Sequence, residues 1–205
     1  MMHTNYNRAT PPPLGTMNGT WILDKSRGSP SMRGYLETMG VTELAIEAHE
    51  KGEAEHETIH QIDFADNRFR IKKVSRVTDL DLELTLGEEF RQNMPGDRVK
   101  TVLATSECPG QEVRIESRMP TMNGVANVVD VKSLVREGDL LILVQTLTIT
   151  NELTGKQHTT TRYFVPHQGE IGAPAATAKD SEGKSRRSSG VGRMLGADMD
   201  DDEED

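Results

Sequence analysis

Arg162 lies two residues after Thr160 and two before Phe164, within the run 159–165, which is rich in β-branched and aromatic residues. That composition predicts a strand, and on a strand the three side chains share one face because the side-chain period is two. An arginine suits one task above others: its planar guanidinium donates two parallel hydrogen bonds to a carboxylate and stays charged even when enclosed. The ordinary reading of a strand arginine is an outward surface ion pair. Other reactive residues carry less. The six histidines do not fall at zinc-ligand spacings, and His56 and His60, four apart, lie where helix gives way to strand. The lone cysteine, Cys108, sits beside Pro109 at a turn. No serine or cysteine has a base motif around it, and Gly-rich phosphate loops are absent. The chain is therefore expected not to be an enzyme and to need no metal or cofactor. Arg186-Arg187-Ser188-Ser189 resembles a basophilic kinase site.

The elements that must position these residues are legible from periodicity. Thr20-Trp21-Ile22-Leu23 reads as a first strand. Ser29-Pro30 predicts a helix start, a hydroxyl cap followed by proline at the first helical position. That helix carries Met32, Tyr35, Leu36 and Met39 at helical spacing, and Gly40 stops it. A second helix begins near Thr42, places Leu44, Ala45 and Ala48 on one side and ends at Gly52. From residue 57 the period changes to two. Phe69 and Ile71 alternate with Arg68, Arg70 and Lys72, and Leu80, Leu82, Leu84 and Leu86 alternate with polar residues. Turn signals at 65–67, 95–97, 109–110, 123–124, 137–139 and 154–156 divide the rest into short runs. Nine or ten strands at such close spacing, with a helical pair after the first, predict an antiparallel meander closed on itself to remove its edges.

Composition sets the frame. Of 205 residues, 34% are hydrophobic and 28% charged, which fits polar ends, a partly polar interior, or both. The net charge is −9, and ten acidic against five basic residues fall from position 166 onward. The mildly acidic remainder does not suit a phosphate backbone, so no nucleic acid is expected as a partner. One cysteine permits no internal disulfide, and the first residues contain no apolar run resembling a signal peptide. A cytoplasmic location is the expectation. Three regions follow: a flexible extension over 1–17, a barrel over 18–165 and a disordered acidic tail over 166–205.

The order of elements and several local motifs resemble the intracellular fatty-acid-binding protein family of calycin-type lipid-binding proteins. The residues are Gly19-Thr20-Trp21, Tyr35-Leu36-Glu37-Thr38-Met39-Gly40-Val41, Leu86-Gly87-Glu88-Glu89-Phe90 with Asp97-Arg98-Val99-Lys100, and Thr160-Thr161-Arg162. The resemblance implies an all-β, ten-stranded antiparallel up-and-down barrel, the β-clam, with a helix-turn-helix lid and a large water-containing cavity. Trp21 would plug the closed end. In the family an arginine and a tyrosine, two residues apart in the last strand, hold a carboxylate, often helped by a second arginine on a preceding strand. Here Arg162 takes the first position, with Thr160 on the same face, while Phe164 replaces the tyrosine and offers no hydroxyl. The second arginine's place, counted back from the Glu137-Gly138 turn, falls at Ser133 or Lys132. Met32, Tyr35, Leu36, Met39, Leu44 and Val77 would form the portal.

These departures point away from the usual triad and admit a bulkier or more amphipathic lipid. The implied function is non-catalytic carriage of a long-chain fatty acid or other hydrophobic small molecule by a monomer, with transient membrane contact during delivery. The first alternative is a ligand-less barrel that acts as a protein-interaction module through its tails. The second is an enzyme or haem-type carrier on a related barrel, for which His158 is the candidate axial ligand on a late strand.

Overall fold

The computed structural model describes residues 15–75, 80–94, 96 and 98–167. Ten strands and two helices follow one another in the order β1 (Gly19–Asp24), α1 (Arg33–Thr38), α2 (Glu43–Glu55), β2 (Ile59–Ala65), β3 (Arg68–Val74), β4 (Leu80–Thr85), β5 (Glu89–Met94), β6 (Arg98–Thr105), β7 (Glu112–Thr121), β8 (Gly124–Glu137), β9 (Leu140–Asn151) and β10 (Gln157–Pro166). All ladders are antiparallel, and each strand pairs with its sequence neighbours except at two places. β1 pairs with both β2 and β10, which joins the two ends of the meander (Trp21 opposite His60, Leu23 opposite Phe164). Among the described residues β4 and β5 share no ladder; there Leu86 meets Ala104 of β6 in a parallel bridge, and the Gly87 amide donates to the Ala104 carbonyl at 2.8 Å. The result is a nearly closed barrel with a seam between β4 and β5.

Period-two alternation places one side of each strand inside. Phe69 and Ile71 of β3, Val102 and Ala104 of β6, Val113 and Ile115 of β7, and Leu134, Leu143 and Phe164 all join Trp21 and Leu23 in one apolar cluster at the closed end. Met17 belongs to that cluster too. Its carbonyl accepts the Trp21 indole N–H at 2.8 Å and its amide donates to the Gly110 carbonyl at 2.7 Å. The closed end of a barrel needs a plug of apolar volume, and Met17 supplies part of it.

The helices depart from expectation in both start and phase. Ser29 does not cap α1; its amide donates to the Thr161 carbonyl at 2.8 Å, and the helix begins three residues after Pro30. Its end is as predicted. Gly40 adopts φ +78°, its amide donates to Glu37 and that of Val41 to Leu36, the paired bonds of a Schellman motif. α2 passes through Gly52 and runs to Glu55. Its buried residue is Ile46, 1% exposed, whereas Leu44 is 79% exposed and Ala45 and Ala48 also face outward. Residues 46, 49, 50 and 53 form the inner stripe of a 3.6-residue period, so the inner face of α2 is mostly polar. Arg33 ties the two helices together through Glu43 at 2.6 Å and Glu50 at 2.7 Å.

Candidate ligand-binding site

β8 and β9 carry the same layering on their inward faces, and neighbouring β10 shares its first two layers. Reading from the closed end towards the helices, β8 presents Leu134, Lys132, Asp130, Val128 and Ala126; β9 presents Leu143, Gln145, Leu147 and Ile149; β10 presents Phe164, Arg162 and Thr160. Apolar gives way to polar and returns to apolar. The register aligns the polar residues in one row, with Lys132 opposite Gln145 and Gln145 opposite Arg162. Above it, Val128, Ala126, Leu147 and Ile149 pack against Met32, Tyr35 and Met39 of the α1 region and Met119 of β7.

A cavity of about 280 Å³ opens between the polar row and the helices. One part of its wall is apolar, including Met32, Leu36, Ile71, Leu80, Leu82, Ile115 and Leu147. The other part is charged: Lys73, Lys100, Lys132 and Arg162 face Asp130 and Glu53, with His49 and His60 beside them. The Lys132 ammonium contacts Asp130 at 2.5 Å, and the Gln145 amide donates to both Asp130 oxygens at 3.0 Å. Arg162 donates to Glu53 at 2.6 Å, which links the barrel interior to the lid helix. Lys73 and Lys100 have no ion-pair partner among the described residues.

Burial governs the titration of these groups. Burial alone would raise the Asp130 carboxyl, but Lys132, Lys73 and the hydrogen bonds from Lys132 and Gln145 outweigh it and hold Asp130 below the usual carboxylate range. Burial pushes Lys73 down to about 8, helped by Lys132 and opposed by Asp130. Lys100 moves down for the same first reason. His60, stacked on Phe164 at 4.3 Å, is held well below its ordinary value by burial and then by Lys73, Lys132 and Arg162, so its imidazole is neutral near pH 7. Burial raises the Tyr35 hydroxyl to about 12, so it too remains neutral. Several buried polar atoms in and beside this layer have no hydrogen-bond partner among the described residues, including Arg162 Nε, His60 Nδ1, Gln145 Oε1 and Thr160 Oγ1. Such atoms are costly unless water or a ligand satisfies them. An enclosed space with an apolar wall and convergent polar groups is what an amphipathic small molecule requires.

No protein-family model matches the chain, and no curated protein matches it in sequence. Solved structures do match. Lipid binding protein 8 of Caenorhabditis elegans superposes with a TM-score of 0.53 at 19% identity, over 73% of this chain and 94% of the other. The REP1-NXSQ fatty acid transporter gives 0.54 at 16% identity, over 75% and 97%. A Schistosoma mansoni fatty acid binding protein, solved in complex with arachidonic acid, gives 0.51 at 15%, over 73% and 95%. The chain has the fold of the fatty-acid-binding proteins. At these identities the likeness is one of backbone architecture.

Within the fatty-acid-binding fold, the residues singled out from the sequence scatter. Arg162 lines the cavity and is 6% exposed, and Lys132 lines it and is fully buried. Ser133 does not: it sits on the opposite face of β8 from Lys132, because one residue of register reverses the face. Phe164 is buried in the closed-end cluster and meets the polar layer through its stack on His60. Thr160 is fully buried on the same face of β10 as Arg162. Of the expected portal residues, Met32, Tyr35 and Leu36 line the cavity, and Met39 packs in the lid-side cluster. Leu44 points away for the reason of phase given above, and Val77 lies outside the described residues. His158 packs against Gly34 of α1, where an added Cβ would fall 2.4 Å from its ring.

Seven charged, imidazole or amide residues of the cavity wall and polar layer escaped the sequence reading: His49, Glu53, His60, Lys73, Lys100, Asp130 and Gln145. The signal for four of them is the period itself. Lys73 shares its parity with Phe69 and Ile71, Lys100 with Val102 and Ala104, and Asp130 with Ala126 and Val128, while Gln145 lies between Leu143 and Leu147. Each continues an inward face beyond the point where hydrophobicity stops marking it.

Proposed function

We propose that this chain is a non-enzymatic carrier that holds a long-chain amphipathic lipid with an anionic head inside the barrel. The observation that carries this reading is the cavity wall, apolar on one part and lined elsewhere by four cations against two carboxylates. The apolar wall supplies the driving force, since each methylene removed from water contributes about 0.8 kcal/mol. A chain of about a dozen carbons thereby reaches micromolar affinity after the costs of ordering it. The fold supports the reading, because structures sharing it include a fatty acid binding protein solved with arachidonic acid. The working unit in this proposal is a monomeric barrel over about 18–165, flanked by the extension and the acidic tail, and it delivers its cargo by transient contact with membranes. Leu44 supports that last step, as an exposed apolar residue on the outer side of the lid helix.

The test is native mass spectrometry of delipidated full-length protein incubated with a mixed panel of fatty acids, retinoids and bile acids. Retention of one class at defined stoichiometry is the expected outcome. A protein that retains nothing would overturn the carrier reading and favour a barrel that docks other proteins through its tails.

A further inference from the structure

The charged wall of the cavity divides into two sets. On β8, β9 and β10 every full charge has an internal partner: Lys132 is matched by Asp130, and Arg162 by Glu53 of the lid helix. The other two cations lie on the seam side of the ring. Lys73 is on β3, next to β4, and Lys100 is on β6, next to β5, so one stands on each side of the unpaired β4–β5 boundary. Both line the same cavity, and neither makes a salt bridge among the described residues, Asp130 acting on both only from beyond contact distance while it pairs with Lys132. Among the lysine, arginine, aspartate and glutamate side chains of the wall, four cations face two carboxylates, an excess of two positive charges contributed by two lysines.

Resting on the carrier reading above, we propose that Lys73 and Lys100 form the seat of the ligand's head, and that this head is a phosphate monoester in preference to a carboxylate. The argument is chemical. A planar carboxylate is matched best by an arginine fork, but the charge of Arg162 is already matched by Glu53 through one Nη, with only Nε left over. A pair of ammonium groups on flexible stems acts instead as two point charges, which suit a compact, tetrahedral, doubly charged anion. A phosphate monoester is close to dianionic above pH 7, since its second ionisation lies near 6, and so it matches the excess of two. A monocarboxylate would leave one buried positive charge uncompensated. Burial depresses the ionisation of both lysines and Asp130 only partly opposes it, so a bound anion would relieve both.

Dodecyl phosphate, dodecanoate, dodecanol and inorganic phosphate, compared at pH 7.5 by displacement of a cavity-bound fluorescent probe, separate the possibilities. The variants are Lys73→Met, Lys100→Met and the pair, each checked for folding by circular dichroism. Dodecyl phosphate should bind about tenfold or more tighter than dodecanoate, a difference of one well-compensated charge. Each lysine variant should reduce that preference and the pair should abolish it, with dodecanol, which carries no anion, as the reference chain. Equal affinity for the two anionic chains, or a preference that survives in the double variant, would overturn the assignment. So would displacement by inorganic phosphate at the same concentrations as dodecyl phosphate, because that would be an ion site without a chain. If none of the three chains binds, including dodecanol, the carrier reading itself falls. If all three bind alike, that reading stands and only the head assignment is lost.

Discussion

Replacing Lys73 by methionine should stabilise the protein at neutral pH, and the gain should fade in alkali. In the folded barrel burial first, and then Lys132, Arg162 and Lys100 against the pull of Asp130, push the Lys73 ammonium down to about 8 from the ordinary 10.5. The unfolded chain therefore binds the proton more tightly than the folded one, and stability must rise with pH between about 8 and 10.5. At about 1.4 kcal/mol per unit, the protonated lysine costs the native state about 3 kcal/mol at pH 7. Methionine has a similar length, carries no charge and adapts to irregular space. Lys73→Met should accordingly gain about 3 kcal/mol at pH 7 and almost nothing at pH 10.5. Urea unfolding of both proteins across this range, followed by the fluorescence of the single tryptophan Trp21, gives the difference directly, and groups common to both proteins cancel. A gain that stays constant with pH, or no gain at pH 7, would refute the account of Lys73 as an uncompensated buried cation.

The phase of α2 is checked by a pair of substitutions: Ile46→Ala should cost about 2–4 kcal/mol, and Leu44→Ala should fall within about 0.5 kcal/mol of wild type in the same urea titration. Gly28→Ala should cost on the order of 2 kcal/mol or more, because Gly28 has φ +70° and a Cβ there would lie 2.6 Å from the Thr161 carbonyl oxygen. Gly138→Ala, at φ +59° with nothing within 4 Å of the added carbon, bears the backbone strain without the collision and should cost about 1 kcal/mol. Similar losses at the two glycines in thermal melts would show that the packing of the β1–α1 connection on β10 is unimportant.

Most of the barrel was legible in the sequence because strand alternation and turn residues are local signals, and they agree with one another along the chain. The helix stop at Gly40 was legible for the same reason: a Schellman motif is written within six residues. The phase of α2 was not. Leu44, Ala45 and Ala48 offered more apolar residues than Ile46 did, yet tertiary packing selects one large side chain and tolerates His49 and Glu53 beside it when a polar cavity lies below. The binding wall was hidden by its own chemistry. Hydrophobicity marks an inward face only where the interior is apolar, so nothing local singled out Lys73 and Lys100 on the faces they continue. The Ser133-or-Lys132 ambiguity had a different origin. Counting from a turn carries an uncertainty of one residue, and in a strand that is the difference between inside and outside.

The seam between β4 and β5 has a consequence for size. In a ring of hydrogen bonds closed all the way round, strand number and stagger fix the circumference, and the enclosed volume is as constant as the backbone itself. Here the ring resembles a strap whose ends meet at the Leu86–Ala104 buckle. Widening it by a fraction of an ångström breaks no ladder between β4 and β5, for the described residues form none there. Girth then becomes a quantity that cargo can set, and guests of different bulk can be housed by sliding two edges past each other with the rest of the wall intact.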